Sequence, residues 1–179
     1  MYNHQTIYIG DIVDLKSCRK ENLQEARLTI KKIKEECFGN YVSGNHELDL
    51  DKDSFYLVKG DTLFTHGDFI FWGENMALKW RSQSPGLTKF SFFWVWLFNS
   101  IIKWRPYFLT NKIKDKIVEA ANYYDCEKVI MGHRHPFNKI DTTYKGIRII
   151  VLPRGKNIVD IEEESPQNKI LSYFGRRKR

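Results

Sequence analysis

Four short apolar runs along this chain end in the same kind of punctuation: "TIYIGD" (6–11), "YVSGNHE" (41–47), "LFTHGD" (63–68) and "VIMGHRH" (129–135). Each reads as a buried strand of about four or five residues running into a glycine-marked loop. Between the first two, "RKENLQEARLTIKKIKEEC" places Leu23, Ala26, Ile30, Ile33 and Cys37 at steps of 3, 4, 3 and 4. That is the stripe of an amphipathic helix. Gly39 and Asn40 supply its stop. Strand, helix, strand implies a crossover within a sheet, and in such sheets ligands gather at the carboxyl ends of the strands.

The long connection between the third and fourth loops has a different texture. "FSFFWVWLFNSII" (90–102) carries no charge and holds Phe90, Phe92, Phe93, Trp94, Trp96 and Phe98. Its 13 residues fall short of the ~20 that span a bilayer as a helix. Lys79, Trp80, Arg81 and Lys89 precede it, and Lys103, Trp104 and Arg105 follow. Basic and Trp flanks suit a segment resting at a lipid–water interface; a core helix with a polar rim fits the pattern equally well. "TNKIKDKIVEAANYYD" (110–125) predicts a second helix with Ile113, Ile117, Ala120 and Ala121 on one face. Residues 73–125 are therefore expected to form a mostly helical cap inserted within a single domain, 1–179. After the fourth loop, "NKIDTTYKGIRIIVLP" and "NIVDIEEE" predict three short strands with a turn at Tyr144–Gly146, and "GRRKR" a frayed basic tail.

Composition narrows the class without choosing the chemistry. A chain of 179 residues with 42% hydrophobic content suits one globular α/β domain with a real core, and 28% charged residues is ordinary. A net charge of +7 favours anionic partners. Phosphates and an acidic membrane face remain open; no nucleic-acid-binding module is visible, so nucleic acid is not expected. Cys18, Cys37 and Cys126 are odd in number and far apart, which fits neither a disulfide framework nor a zinc pattern. "MYNHQT" lacks the shape of a signal peptide. A cytoplasmic protein is the expectation, in one reading peripheral on the inner membrane face.

The loops carry the chemistry. Of five histidines, His46, His66, His133 and His135 sit in them and only His4 does not. Imidazole together with carboxylate oxygen favours Mn, Fe or Zn. Two such metals a few ångströms apart can activate water and stabilise both oxygens of an in-line phosphoryl displacement.

The ordered set GD, GNHE, THGD and GHRH, with "GDIVD" at 10–14, resembles the calcineurin-like metallophosphoesterase family over Ile7 to about Asn138. The resemblance implies that family's α/β sandwich of sheets flanked by helices, and a hydrolase of phosphate ester or pyrophosphate bonds using divalent metal, Mn²⁺ foremost. By the same resemblance Asp11 bridges the metals, Asn45, His66 and His133 complete one site, and His135 belongs to the other. His46 is then the histidine that helps the substrate phosphate or leaving group. Asp14 is either a residue behind the ligands or a helix-start carboxylate. Arg134 is more simply a solvated surface arginine than a phosphate contact.

The chain departs from the family in one respect. The family's earlier D-x-H block, at the end of a first strand, is absent, and His4 lies seven residues before Asp11, too early to replace it. One strong metal site is expected where the family has two. A late-starting fragment explains this better than a mononuclear or inactive scaffold, because losing a core strand would expose its neighbours' edges. The blocks that are present are also intact. The aromatic, basic insertion is similar in composition to that of UDP-2,3-diacylglucosamine diphosphatases, which implies a lipid-linked nucleotide sugar as substrate. The alternative is a phosphorylated small molecule taken by a soluble phosphatase or phosphodiesterase of the same family.

Overall fold

In the computed structural model the described residues are 3–16, 18–37, 39–50, 55–82, 109–133, 136, 138–153 and 156–163. Arg134, His135 and the aromatic segment 90–105 lie outside them. The chain is a mixed α/β structure with two sheets. In the smaller, β1 (Asn3–Ile9) lies between β2 (Tyr41–Val42) and β8 (Ile158–Glu163). It is parallel to β2, with Ile9 opposite Val42, and antiparallel to β8, with Tyr8 opposite Ile158. The larger sheet has the order β3 (Tyr56–Lys59), β4 (Thr62–Thr65), β5 (Lys128–Met131), β7 (Ile147–Val151), β6 (Ile140–Tyr144). Its three middle strands are parallel and its two edges antiparallel.

Strand alternation divides the apolar residues between two cores. Phe64, Ile130, Ile150 and Leu152 face the smaller sheet and pack with Ile7, Ile9 and Val42. Their neighbours Leu63, Val129, Met131, Ile149 and Val151 point the other way. There they meet Ile70 of α2 (Asp68–Trp72) and Ile117, Val118 and Ala121 of α4 (Asn111–Tyr123). The layers are helices, five strands, three strands. Burying each large aliphatic or Phe side chain in such a core contributes roughly 1.5–3 kcal/mol.

Of the segment 73–125, α3 (Glu74–Arg81) and α4 are helical. Helix α4 begins at Thr110, whose hydroxyl accepts the Ile113 N–H, and its apolar face belongs to the core. Among the described residues no helix is long and apolar enough to cross a membrane.

Two details differ from the sequence reading. Helix α1 (Leu23–Glu36) forms as its stripe predicts, yet none of its residues is fully buried. Ile30 and Lys34 instead border a cleft of about 390 Å³ shared with Leu15, Leu48 and Leu50. The second difference is β3, which the sequence reading lacks. It pairs with β4 through the two-residue turn Gly60–Asp61, where Gly60 takes φ +56°, a geometry that suits a tight hairpin. The turn at Lys145–Gly146, with φ of 49° and 83°, has the left-handed pair expected between β6 and β7.

Candidate metal centre

All four glycine-marked loops leave the carboxyl ends of parallel strands. Asp11 follows β1, Asn45 follows β2, His66 follows β4, and His133 follows β5. The first two therefore come from the smaller sheet and the last two from the larger. Asp11 (φ 54°) and His133 (φ 51°) stand in the left-handed region, which costs an ordinary residue roughly 1–2 kcal/mol. Asp11 is held there from both ends. Its Oδ1 accepts the His46 N–H at 2.9 Å and its carbonyl accepts Asn157 Nδ2 at 3.1 Å. His133 is enclosed by rings, with Trp72 edge-on at 4.5 Å and Phe71 stacked at 5.6 Å between centroids.

The loop glycines explain how such close approach is possible. Gly10, at φ +57°, has no room for a side chain: a Cβ there would lie 2.5 Å from Gly44 N and 2.9 Å from His66 Nδ1. A Cβ on Gly132 would lie 3.3 Å from the Ile9 carbonyl and 3.5 Å from His66 Nδ1. On Gly44 it would run into Asp11 Oδ1 and lie 2.8 Å from Asp11 Cγ. Gly44→Ala should therefore displace the Asp11 carboxylate. We expect it to weaken Mn²⁺ binding by about 10–100-fold, the range found when a ligand's support is removed. Calorimetric titration checks this, and an unchanged affinity would show that the loop relaxes without moving Asp11.

Three expected donors, those of Asn45, His66 and His133, meet at one point, and a fourth, that of Asp11, lies beside His66. Asn45 Oδ1 lies 3.0 Å from His66 Nε2 and 3.1 Å from His133 Nδ1. The two ring nitrogens are 3.0 Å apart, and Asp11 Oδ2 is 3.2 Å from His66 Nε2. With metal–donor bonds of about 2.1 Å, neighbouring donors of an octahedral ion sit about 3.0 Å apart and those of a tetrahedral ion about 3.4 Å. The three separations among Asn45, His66 and His133 fit the octahedral edge, and that between Asp11 and His66 lies midway. Counting only His, Cys, Asp and Glu, no group of three or more among the described residues could hold a metal ion. The cluster instead turns on an amide oxygen, that of Asn45. The second position expected at Asp11 and His135 lies partly outside the described residues.

The surroundings favour positive charge. His66 is fully buried, which opposes its imidazolium, but the charge and hydrogen bond of Asp11, with Asp68 and Glu47 behind, raise its pKa on balance. Those same carboxylates would stabilise a cation among the donors.

Glu47, Asp68 and Ser43, for which the sequence reading gave no role, hold the loops together with Arg81. Buried Glu47 accepts the Ile12 N–H at 2.8 Å through Oε1 and the Gly44 N–H at 2.6 Å through Oε2, tying the β1 loop to the β2 loop. Burial raises its pKa, against the lowering effect of the Gly44 N–H. Arg81, read from the sequence as part of a basic interfacial flank, is 1% exposed. Its Nε and Nη2 donate to both oxygens of buried Asp68 at 2.9 Å, and its Nη1 and Nη2 donate to Ser43 Oγ and O at 2.8 and 3.0 Å. Helix α3 is thereby fastened to the loops that carry Asn45 and His66. A guanidinium buried this way cannot lie at a lipid surface.

Outside the donor cluster, His46 Nδ1 and Asp14 Oδ1 are 2.8 Å apart. No helix begins at Asp14, so the helix-start alternative does not apply. Burial opposes the His46 imidazolium, but the Asp14 hydrogen bond and the charges of Asp11 and Asp14 outweigh it and raise the pKa. Trp80 packs beside Trp72, with ring centroids 5.8 Å apart. Lys16 Nζ lies 4.1 Å above the Trp80 ring. No protein-family model matches the chain, and no curated protein matches it.

Proposed function

We propose that the protein is a metal-dependent hydrolase of phosphate ester or pyrophosphate bonds, as the resemblance to calcineurin-like metallophosphoesterases implies. The observation that carries the proposal is the convergence of Asn45, His66 and His133 at octahedral spacing, with Asp11 beside His66, from four separate strand ends. Those four residues would hold the ion. Mixed imidazole, amide and carboxylate donors in six-coordinate geometry favour Mn²⁺, with Fe or Zn as the other candidates. The bound ion would supply the Lewis acidity that polarises a phosphoryl oxygen and activates water.

The remaining roles belong to the protein's own side chains. Asp14 engages His46 at Nδ1, which fixes the tautomer and leaves Nε2 to exchange a proton with the departing oxygen. The aromatic segment from which a lipid-linked substrate is expected lies outside the described residues, so the reaction is proposed at the level of the bond. Acylated and deacylated substrates would separate the lipid-linked from the soluble substrate class.

Calorimetric titration of Mn²⁺ into the metal-free protein tests the donor set. Partners behind a ligand are worth about 10–100-fold in affinity, so His133→Ala, which removes a donor outright, should cost at least about 100-fold. Hydrolysis of bis(p-nitrophenyl) phosphate should fall with it and should vanish on chelation. Wild-type affinity in the His133→Ala protein would reject the assignment.

A further inference from the structure

Among the described residues, Lys16 is a charged group near the donor cluster that the roles above do not use. It sits in the turn after Asp14, pinned by buried Leu15, whose N–H bonds to the Val13 carbonyl and whose own carbonyl accepts the Cys18 N–H. The side chain is half-buried. An ammonium carries three donors, and burying it without partners is costly. Yet among the described residues Lys16 makes no hydrogen bond and no salt bridge; its Nζ lies over the Trp80 face. Asp11, Asp14 and Asp68 attract it from a distance, and His46 feels its charge. Burial holds the ammonium below its ordinary pKa despite those three carboxylates.

A run of ring contacts leads from Lys16 to the donor cluster. Lys16 reaches Trp80, Trp80 packs on Trp72, and Trp72 meets the edge of His133. Lys16 also stands two residues beyond Asp14, whose carboxylate engages the His46 ring, and Asp11 and Asp14 attract its charge. A structural lysine would be expected to close on one of its neighbouring carboxylates. This one is braced on a ring, in the turn that follows the carboxylate partner of the expected proton donor.

We propose that Lys16, supported on the Trp80 face, is the residue that binds the substrate's phosphoryl oxygens beside the donor cluster. This deepens the phosphohydrolase reading and rests on it for the identity of the anion. The aromatic brace holds the ammonium in place at little entropic cost without neutralising it. The arriving phosphate then supplies the acceptors that the protein withholds.

The test uses the full chain and inorganic phosphate as the probe. Lys16→Met keeps the apolar stem and removes the charge, whereas Lys16→Arg keeps the charge. Phosphate titrated into Mn²⁺-loaded protein should bind about 10–100-fold more weakly to Lys16→Met, the loss expected for a hydrogen bond to a charged group. Lys16→Arg should recover most of that loss. Mn²⁺ affinity and melting temperature should match wild type in both, and KM for p-nitrophenyl phosphate should rise more than kcat falls. Phosphate affinity in Lys16→Met within twofold of wild type would overturn the proposal and leave the metal reading standing. Failure of wild type to bind Mn²⁺ would instead overturn the metal reading. The same phosphate titration on metal-free protein would then decide Lys16 separately, and a wild type that binds no phosphate in either state would reject it.

Discussion

Replacing Arg81 by methionine should lower the free energy of unfolding by about 3–5 kcal/mol, the penalty for leaving one member of a buried ion pair behind. The guanidinium spends its donors on Asp68, Ser43 and, at 3.3 Å, the Asp49 carbonyl, while its face lies 4.1 Å above the Phe55 ring. Asp68 is itself fully buried, so Arg81→Met strands a carboxylate where water cannot reach it. Removing both partners, as in Arg81→Met with Asp68→Leu, should recover much of the loss, because buried pairs replaced together by apolar groups are often close to neutral. Urea unfolding of the two single variants and the double variant measures this directly. A single-mutant loss below about 1 kcal/mol, the size of a solvated pair, would show that water reaches Asp68.

His46→Ala should slow turnover by about 10²–10⁴-fold, the contribution typical of a lost general acid, and leave Mn²⁺ affinity at the wild-type value. The division follows from geometry. His46 bonds to Asp14 through its ring and to Asp11 only through its backbone N–H, so removing the imidazole keeps the contact that positions Asp11. Asp14→Asn should show a smaller loss of the same kind, since it disturbs the orientation of the ring and keeps the ring itself. Loss of metal together with rate in His46→Ala would instead place His46 among the donors.

The strand ends and the polar residues that gather beyond them were legible because they depend on local signals: a short apolar run, a glycine that permits close approach, then a side chain able to ligate. Gly10–Asp11 and Gly132–His133 need nothing more distant to be recognised. What the sequence hid depends on partners far apart in the chain. Arg81 meets Asp68 thirteen residues away and Ser43 thirty-eight residues away, and nothing in "ALKWRS" distinguishes a buried guanidinium from a solvated one. Glu47 was visible within "GNHE", but its work on the Ile12 N–H appears only once two loops are brought together. Strand β3 had a usable signal. Apolar residues flank Gly60–Asp61, but a "GD" dipeptide between them marks a hairpin as readily as a strand-end ligand. Helix α1 shows the limit of periodicity, which predicts which face turns inward but not how much cover that face finds.

Among the described residues the two sheets share an apolar filling and no backbone ladder, so side-chain packing and the Arg81 link between Ser43 and Asp68 are what oppose sliding of one past the other. An ion held at once by Asp11 and Asn45 from one sheet and by His66 and His133 from the other would oppose that motion as a fastener at the rim. Binding would then also set alignment: a shear of a single ångström, harmless to an apolar contact, would separate donors that now stand 3.0–3.2 Å apart. Affinity for such an ion would thus become a gauge of how well the layers are stacked, sensitive to packing defects far below the loops that would touch it.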